Sequence, residues 1–213
     1  STAASVSILS RSLPKPMASV CWWHLVSDLS KVGATDIGIN VSPSLGNPYD
    51  REKLKEGLLN KIVTGVSVHS IALDEAEIQK PPTERIPGLS SYHLVLPALW
   101  QELIVRSNWS IEQLWEAISF GPSKILKLPP EELKINSNRW LLFDPNKKWV
   151  QTRHYKEGIY KTSSNQPWEG TEITGKIISL LIRSSIISSM IGEGEMDPIP
   201  PVFGPLLFSN TLL

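Results

Sequence analysis

The stretch GVSVHSIALDE, residues 65 to 75, holds the residues best placed for chemistry. Val66, Val68 and Ile71 predict a buried strand over 65–70. His69 and Ser70 then emerge at its C-terminal end, where parallel-sheet enzymes keep their reactive groups. An imidazole, with an unperturbed pKa near ~6.5, can hold a metal or move a proton at neutral pH. A lone histidine at a strand end is more often a hydrogen-bonded structural residue. Asp74 and Glu75 are nearby acids, but five and six positions beyond His69 they fall on the following loop, in solvent. His93 lies in an apolar helical run and His154 in a β-rich run, so both read as structural.

The elements that must position these residues follow a βα rhythm. Val6 and Leu9 at helical spacing predict a first helix within residues 1–11, and PMASVCW (16–22) reads as a strand. Residues 36–48 form a loop rich in Gly, Pro, Asn and Ser, and YDREKLKEGLLNKI (49–62) follows as an amphipathic helix capped by Asp50. A second long loop, 72–88, precedes an apolar helix over 89–107 that Pro97 should kink. Ser110 and Gln113 have the spacing of a capping box and open a further helix. Near residue 129 the texture changes to short β-rich runs, RWLLFDP, KWVQTRHY and TEITGKIISLLI, split by turn residues. The organisation expected is therefore α/β over 1–128, a small β-sandwich unit over 129–191, and a Pro-rich apolar tail over 192–213.

Composition narrows the function classes. Lys plus Arg (21) balance Asp plus Glu (21), which gives a phosphate backbone or an anionic membrane surface nothing to bind. The apolar run 176–191 is interrupted by Arg183, falls short of the ~20 residues of a membrane helix and alternates like strands. Eight Trp are scattered without basic runs around them, which suits packing rather than base stacking. The single Cys21 has no internal disulfide partner, so a reducing, cytoplasmic or organelle-stromal setting is expected. The first residue is Ser rather than Met, which suggests a processed or partial chain.

Five stretches in order resemble the C-terminal half of dihydroorotases, metal-dependent hydrolases of the amidohydrolase family. STAASVSILSR is similar to the segment after a metal-binding histidine, written His-x-Ser-Thr-Ala, and MASVCWWHL to the strand ending Thr-Pro-His-His-Leu. VSPSLGNPYDREKLKEGLLN resembles the Asn-Pro-Pro-Leu-Arg loop and the helix after it. IPGLSSYHLVLPALWQEL looks like the Ile-Pro-Gly-Leu-Glu segment, and LFDPNKKWVQ with TSSNQPWEGTEITGKI like the closing β segment. The resemblance covers residues 1 to about 182.

It implies the last two or three βα units of a (β/α)8 barrel followed by a small β-sandwich, and a place in pyrimidine synthesis. It also implies chemistry in which metal ions activate a water and a strand-end Asp moves the proton. The inheritance is incomplete. The family's Asp-His-Ala-Pro-His falls on His69, Ser70, Ile71, Ala72 and Leu73, so His69 stands where the acid belongs. In the substrate loop Ser42 and Gly46 replace Asn and Arg, with Pro43 and Leu45 retained; Pro87 and Gly88 are kept, and Trp22, Trp23 and His24 stand for Pro-His-His. The candidate catalytic residue is therefore His69, and the candidate substrate-binding residues are Ser42, Pro43, Pro87 and Gly88. No metal site is expected within this chain; zinc enters only if an N-terminal half completes one.

With about 130 residues before the β unit, against the ~250 of a whole barrel, the ring cannot close and apolar faces should remain uncovered. The expectation is a catalytically inactive, binding or scaffolding chain. The resemblance implies assembly with aspartate transcarbamoylase, or self-association. The competing expectation is an active cyclic amidohydrolase whose metal ligands lie in a missing N-terminal half, with His69 in place of the acid.

Overall fold

A computed structural model describes residues 2–33, 36–81, 83–129, 139–152 and 163–182. His154, the run 183–191 and the tail 192–213 lie outside the described residues.

The first helix, α1 (Ala3–Arg11), starts where the Thr2 hydroxyl accepts from the Ser5 N–H. It leads to β1 (Ser19–Cys21), a short helix α2 (Trp23–Val26), and a 3-10 turn at Ile37–Ile39. Helix α3 (Pro48–Leu59) is capped by Asn47, not Asp50. The two residues act reciprocally: Asn47 accepts from the Asp50 N–H, and the Asp50 carboxylate accepts from the Asn47 N–H. Pro48 occupies the first helical position, where its missing N–H costs nothing.

Strand β2 covers Gly65–Ser67, shorter than the expected 65–70, and pairs in parallel with β1 through Ser19/Gly65, Val20/Val66 and Cys21/Ser67. The chain between them passes through α3, which supplies the helical crossover that a parallel pair needs. Beyond β2 the loop expected over 72–88 contains a short helix, α4 (Glu75–Ile78), whose N-cap Asp74 accepts from the Glu77 N–H. Asp74 and Glu75 are thus helix-start residues rather than loop residues. Acids favour that position because the first-turn N–H groups face them.

Helix α5 (Tyr92–Leu99) contains Pro97, and the helix continues from Trp100 to Arg106 in π geometry. Pro97 cannot donate to the carbonyl one turn back, and a change of hydrogen-bond register follows it. Helix α6 (Ile111–Trp115) carries the capping box of Ser110 and Gln113, then passes through a π turn into α7 (Gly121–Ile125). Gly121 is held against the Thr64 carbonyl so closely that any side chain would collide with it.

The runs RWLLFDP and KWV form one strand, β3 (Arg139–Val150), antiparallel to β4 (Glu172–Ile182). Its register shifts between Leu142 and Phe143 and again between Asp144 and Lys148. At the second shift Asp144 accepts from the N–H groups of Asn146 and Lys147 and bends the strand without ending it. Leu141 and Phe143 enter one apolar cluster with Val20, Val66, Leu94 and Leu103, and the Phe143 ring lies 5.2 Å from that of Trp100. The β3–β4 pair therefore packs directly on α5 and its π extension.

Candidate functional site at the strand ends

Because β1 and β2 are parallel, their C-terminal ends open on the same side. The Trp22 N–H donates to the Ser67 carbonyl at 3.0 Å, which carries the ladder one step past β1. Cys21-Trp22-Trp23-His24 and Val68-His69-Ser70 leave the sheet together. Ser70 then bridges Leu89 in parallel, with the Ile71 N–H donating to the Leu89 carbonyl at 2.9 Å.

His69 is exposed here, two residues past the strand. Its backbone N–H and that of Trp23 face the Cys21 thiol; burial pushes that thiol's pKa up, and the two N–H groups oppose the shift without reversing it. His24 is buried, and its Nε2 donates to the carbonyls of Pro43 at 3.0 Å and Ser44 at 3.3 Å. Burial lowers its pKa, the two carbonyls work against that, and charge on His69 adds to the lowering. Its Nδ1 is buried without a hydrogen-bond partner, so the neutral ring is an anchor for the loop rather than a proton carrier.

Ser42 and Pro43 are exposed and joined by a cis peptide bond, and His24 holds Pro43 through its carbonyl. Pro87 is exposed, while Gly88 is half-buried, its N–H donating to the Asn40 carbonyl at 2.8 Å. A Cβ on Gly88 would stand 2.8 Å from that of Ile71, which explains a glycine where two loops meet. No hydrogen bond joins His69 to Ser42, Pro43, Pro87 or Gly88 among the described residues.

Asn165 is the organising residue that sequence reasoning missed. Fully buried, its Nδ2 donates to the Ile71 carbonyl at 2.7 Å and to the Gly88 carbonyl at 2.9 Å, and its Oδ1 accepts from the Leu73 N–H at 3.0 Å. One side chain thus ties the loop after β2 and the loop before α5 to the β unit. The signal lies in Asn165-Gln166-Pro167-Trp168, a turn sequence in which an Asn side chain readily bonds to backbone groups.

Indoles occupy much of the remaining space. Trp23 lies 5.2 Å from Trp22 and 5.1 Å from Trp168, ring centre to ring centre. The Trp23 Nε1–H donates to the Gly38 carbonyl at 2.8 Å, and a Cβ on Gly38 would stand 2.5 Å from the indole. Behind the indoles lies a buried charge network centred on Glu102. Lys55 donates to it at 2.7 Å and Arg106 at 2.8 Å, and Arg51 and Lys31 approach within 3.5 and 3.6 Å. Burial alone would raise the Glu102 pKa, but these cations outweigh it and hold the carboxyl below its usual value.

Among the described residues no three His, Cys, Asp or Glu side chains come together as metal ligands. The donors at the strand ends do not converge: His24 spends Nε2 on the loop carbonyls, and His69 stands exposed beyond β2. The described strand-end residues therefore make no zinc ligand set by themselves. Among the described residues no helix is long and apolar enough to cross a membrane.

The fold formed by the parallel βα unit and the antiparallel β3–β4 pair is shared with solved structures. The fold superposes on L-hydantoinase (dihydropyrimidinase) from Arthrobacter aurescens with a TM-score of 0.67 at 18% identity, over 87% of this chain and 42% of that one. It also superposes on the inactive dihydroorotase-like domain of the CAD-like multifunctional protein of Chaetomium thermophilum, with a TM-score of 0.56 at 16% identity, over 86% of this chain and 48% of that one. In sequence, a probable dihydroorotase-like protein from Synechocystis is 32% identical over 171 residues, 76% of this chain and 37% of the relative. No family model matches. Relatives named dihydroorotase or dihydroorotase-like protein thus match this chain over most of its length. The chain spans well under half the length of the relatives it matches.

Proposed function

We propose that this chain is a dihydroorotase-like protein of pyrimidine biosynthesis that binds or scaffolds without turning over substrate, in the cytoplasm or an organelle stroma. The observation that carries this reading is the residue set at the strand ends: His69 in place of an acid, indoles at Trp22 and Trp23, and a buried His24 whose Nε2 is committed to the loop. A general base must reach the proton it removes, and a metal-activated water needs a ligand set. Among the described residues no such ligand set comes together, and His69 stands where the family has an acid. The chemistry of the parent family would then be replaced by recognition, with aspartate transcarbamoylase or a second copy as the proposed partner.

A second reading rests on His69 itself, whose exposed imidazole stands just beyond β2. In that reading a further part of the protein supplies the metal, and His69 takes the proton that an Asp would take. A cationic centre beside it would lower its affinity for that proton, which weighs against the idea.

The experiment loads the full-length protein with zinc, measures bound metal, and assays dihydroorotate hydrolysis with and without His69→Asp. We expect sub-stoichiometric metal and no turnover above background in the natural sequence. Stoichiometric zinc with turnover in the natural sequence would overturn the proposal and favour the second reading, whereas turnover that appears only in His69→Asp would support it.

A further inference from the structure

A cavity of about 400 Å³ lies between α2, the π segment after α5 and the turn before β4. Its wall includes Trp23, Ser27, Lys31, Arg106, Pro167 and Trp168, and none of the five inherited site positions. Three features distinguish it from an accidental cleft. First, its aromatic walls are fixed in advance: Trp23 is pinned through its Nε1–H to Gly38, and Trp168 is held at φ 62°. A bulky residue in the left-handed region is strained, and such strain persists where the surroundings over-determine a conformation. Second, the cavity lining itself carries two cations and one anion: Lys31 and Arg106 face it with Asp36, whose carboxylate accepts from the Gly33 N–H. Behind them Arg51 and Lys55 are paired with Asp28, Glu52 and Glu102. Third, Arg106 shares Glu102 with the other three cations yet is 66% exposed, so much of its planar fork remains open to a second acceptor.

We propose that this cavity binds a small planar carboxylate, its charge between Lys31 and Arg106 and its ring against Trp23 and Trp168. The volume suits a molecule of one or two rings. The Arg fork favours a flat carboxylate over a spherical anion. The proposal goes beyond the functional reading above: Trp23 is shared with it, while Lys31, Arg106 and Trp168 do not enter it.

The test is titration of the full chain with benzoate, followed by calorimetry and by the indole N–H resonances of Trp23 and Trp168, with benzamide and inorganic phosphate as comparators. Benzoate should bind one saturable site and shift both resonances, with benzamide and phosphate at least ~10-fold weaker. Arg106→Gln and Trp168→Leu, each checked for a native melting profile, should weaken benzoate about tenfold. The proposal is overturned if benzoate gives no saturable binding, if benzamide or phosphate binds as well, or if neither resonance moves. Should either variant fail to fold, the wild-type resonances and comparators still decide.

Discussion

Glu102 is the residue on which four cations converge, and its burial makes it the charge the fold can least afford to lose. Removing one partner of a buried pair leaves the other uncompensated, at a cost of about 3–5 kcal/mol. Glu102→Gln should lower the unfolding free energy toward the lower end of that range, because Lys55, itself 5% exposed, keeps its charge and retains the half-exposed Glu52 as its partner at 3.0 Å. The folded-state pKa of Glu102 lies below its ordinary 4.5, so its contribution is complete above that value and is lost as pH falls through the depressed one. Urea titrations from pH 6 down to 3 should therefore show a steeper loss of stability in the wild type than in Glu102→Gln. Equal slopes would contradict the assignment. The network was not legible in the sequence, since Lys31, Arg51, Lys55, Glu102 and Arg106 carry no shared motif. His69 was legible, because an imidazole at the end of a short β run announces itself.

At the scale of elements, local signals were read correctly where they are local. The capping box at Ser110 and Gln113 formed as its spacing requires. The cap of α3 lies three residues before the expected Asp50, because Asn47 and Asp50 form a reciprocal pair and either residue alone looks like a cap. β3 appeared as two runs because Asp144 and Pro145 read as a chain break, whereas the structure absorbs them as an irregularity in a continuous strand. The join between elements depends on Asn165. Asn165→Ala would leave the Leu73 N–H and the Ile71 and Gly88 carbonyls without this partner. With each buried unsatisfied group costing about 1–3 kcal/mol, we expect a loss of at least ~2 kcal/mol. Faster amide exchange at Leu73 than at Val66 would locate the loss in the loop; a uniform change across both would show that Asn165 acts only on global stability.

At the scale of the molecule, β1 pairs with β2 on one edge, and among the described residues no strand covers its other edge. Leu13 and Met17, just before β1, are 93% and 56% exposed. An uncovered strand edge flanked by exposed apolar side chains is a template for association. The chain of residues 1–213 should therefore self-associate in a concentration-dependent way by light scattering. The double variant Leu13→Lys, Met17→Lys should reduce that association while leaving the melting temperature within a few degrees. A monomer at all concentrations would remove self-association from the proposed roles.

The sequence by itself determined the periodicities, the caps and the family likeness, because each is written in residues that are neighbours along the chain. It also named every strand-end residue that departs from the family. Only the tertiary structure decided that His24 holds the loop at Pro43, that Asn165 joins segments over ninety positions apart, and that Lys31 and Arg106 face one cavity with two indoles. Those contacts join residues distant in sequence, and their energies depend on burial, which no local pattern specifies.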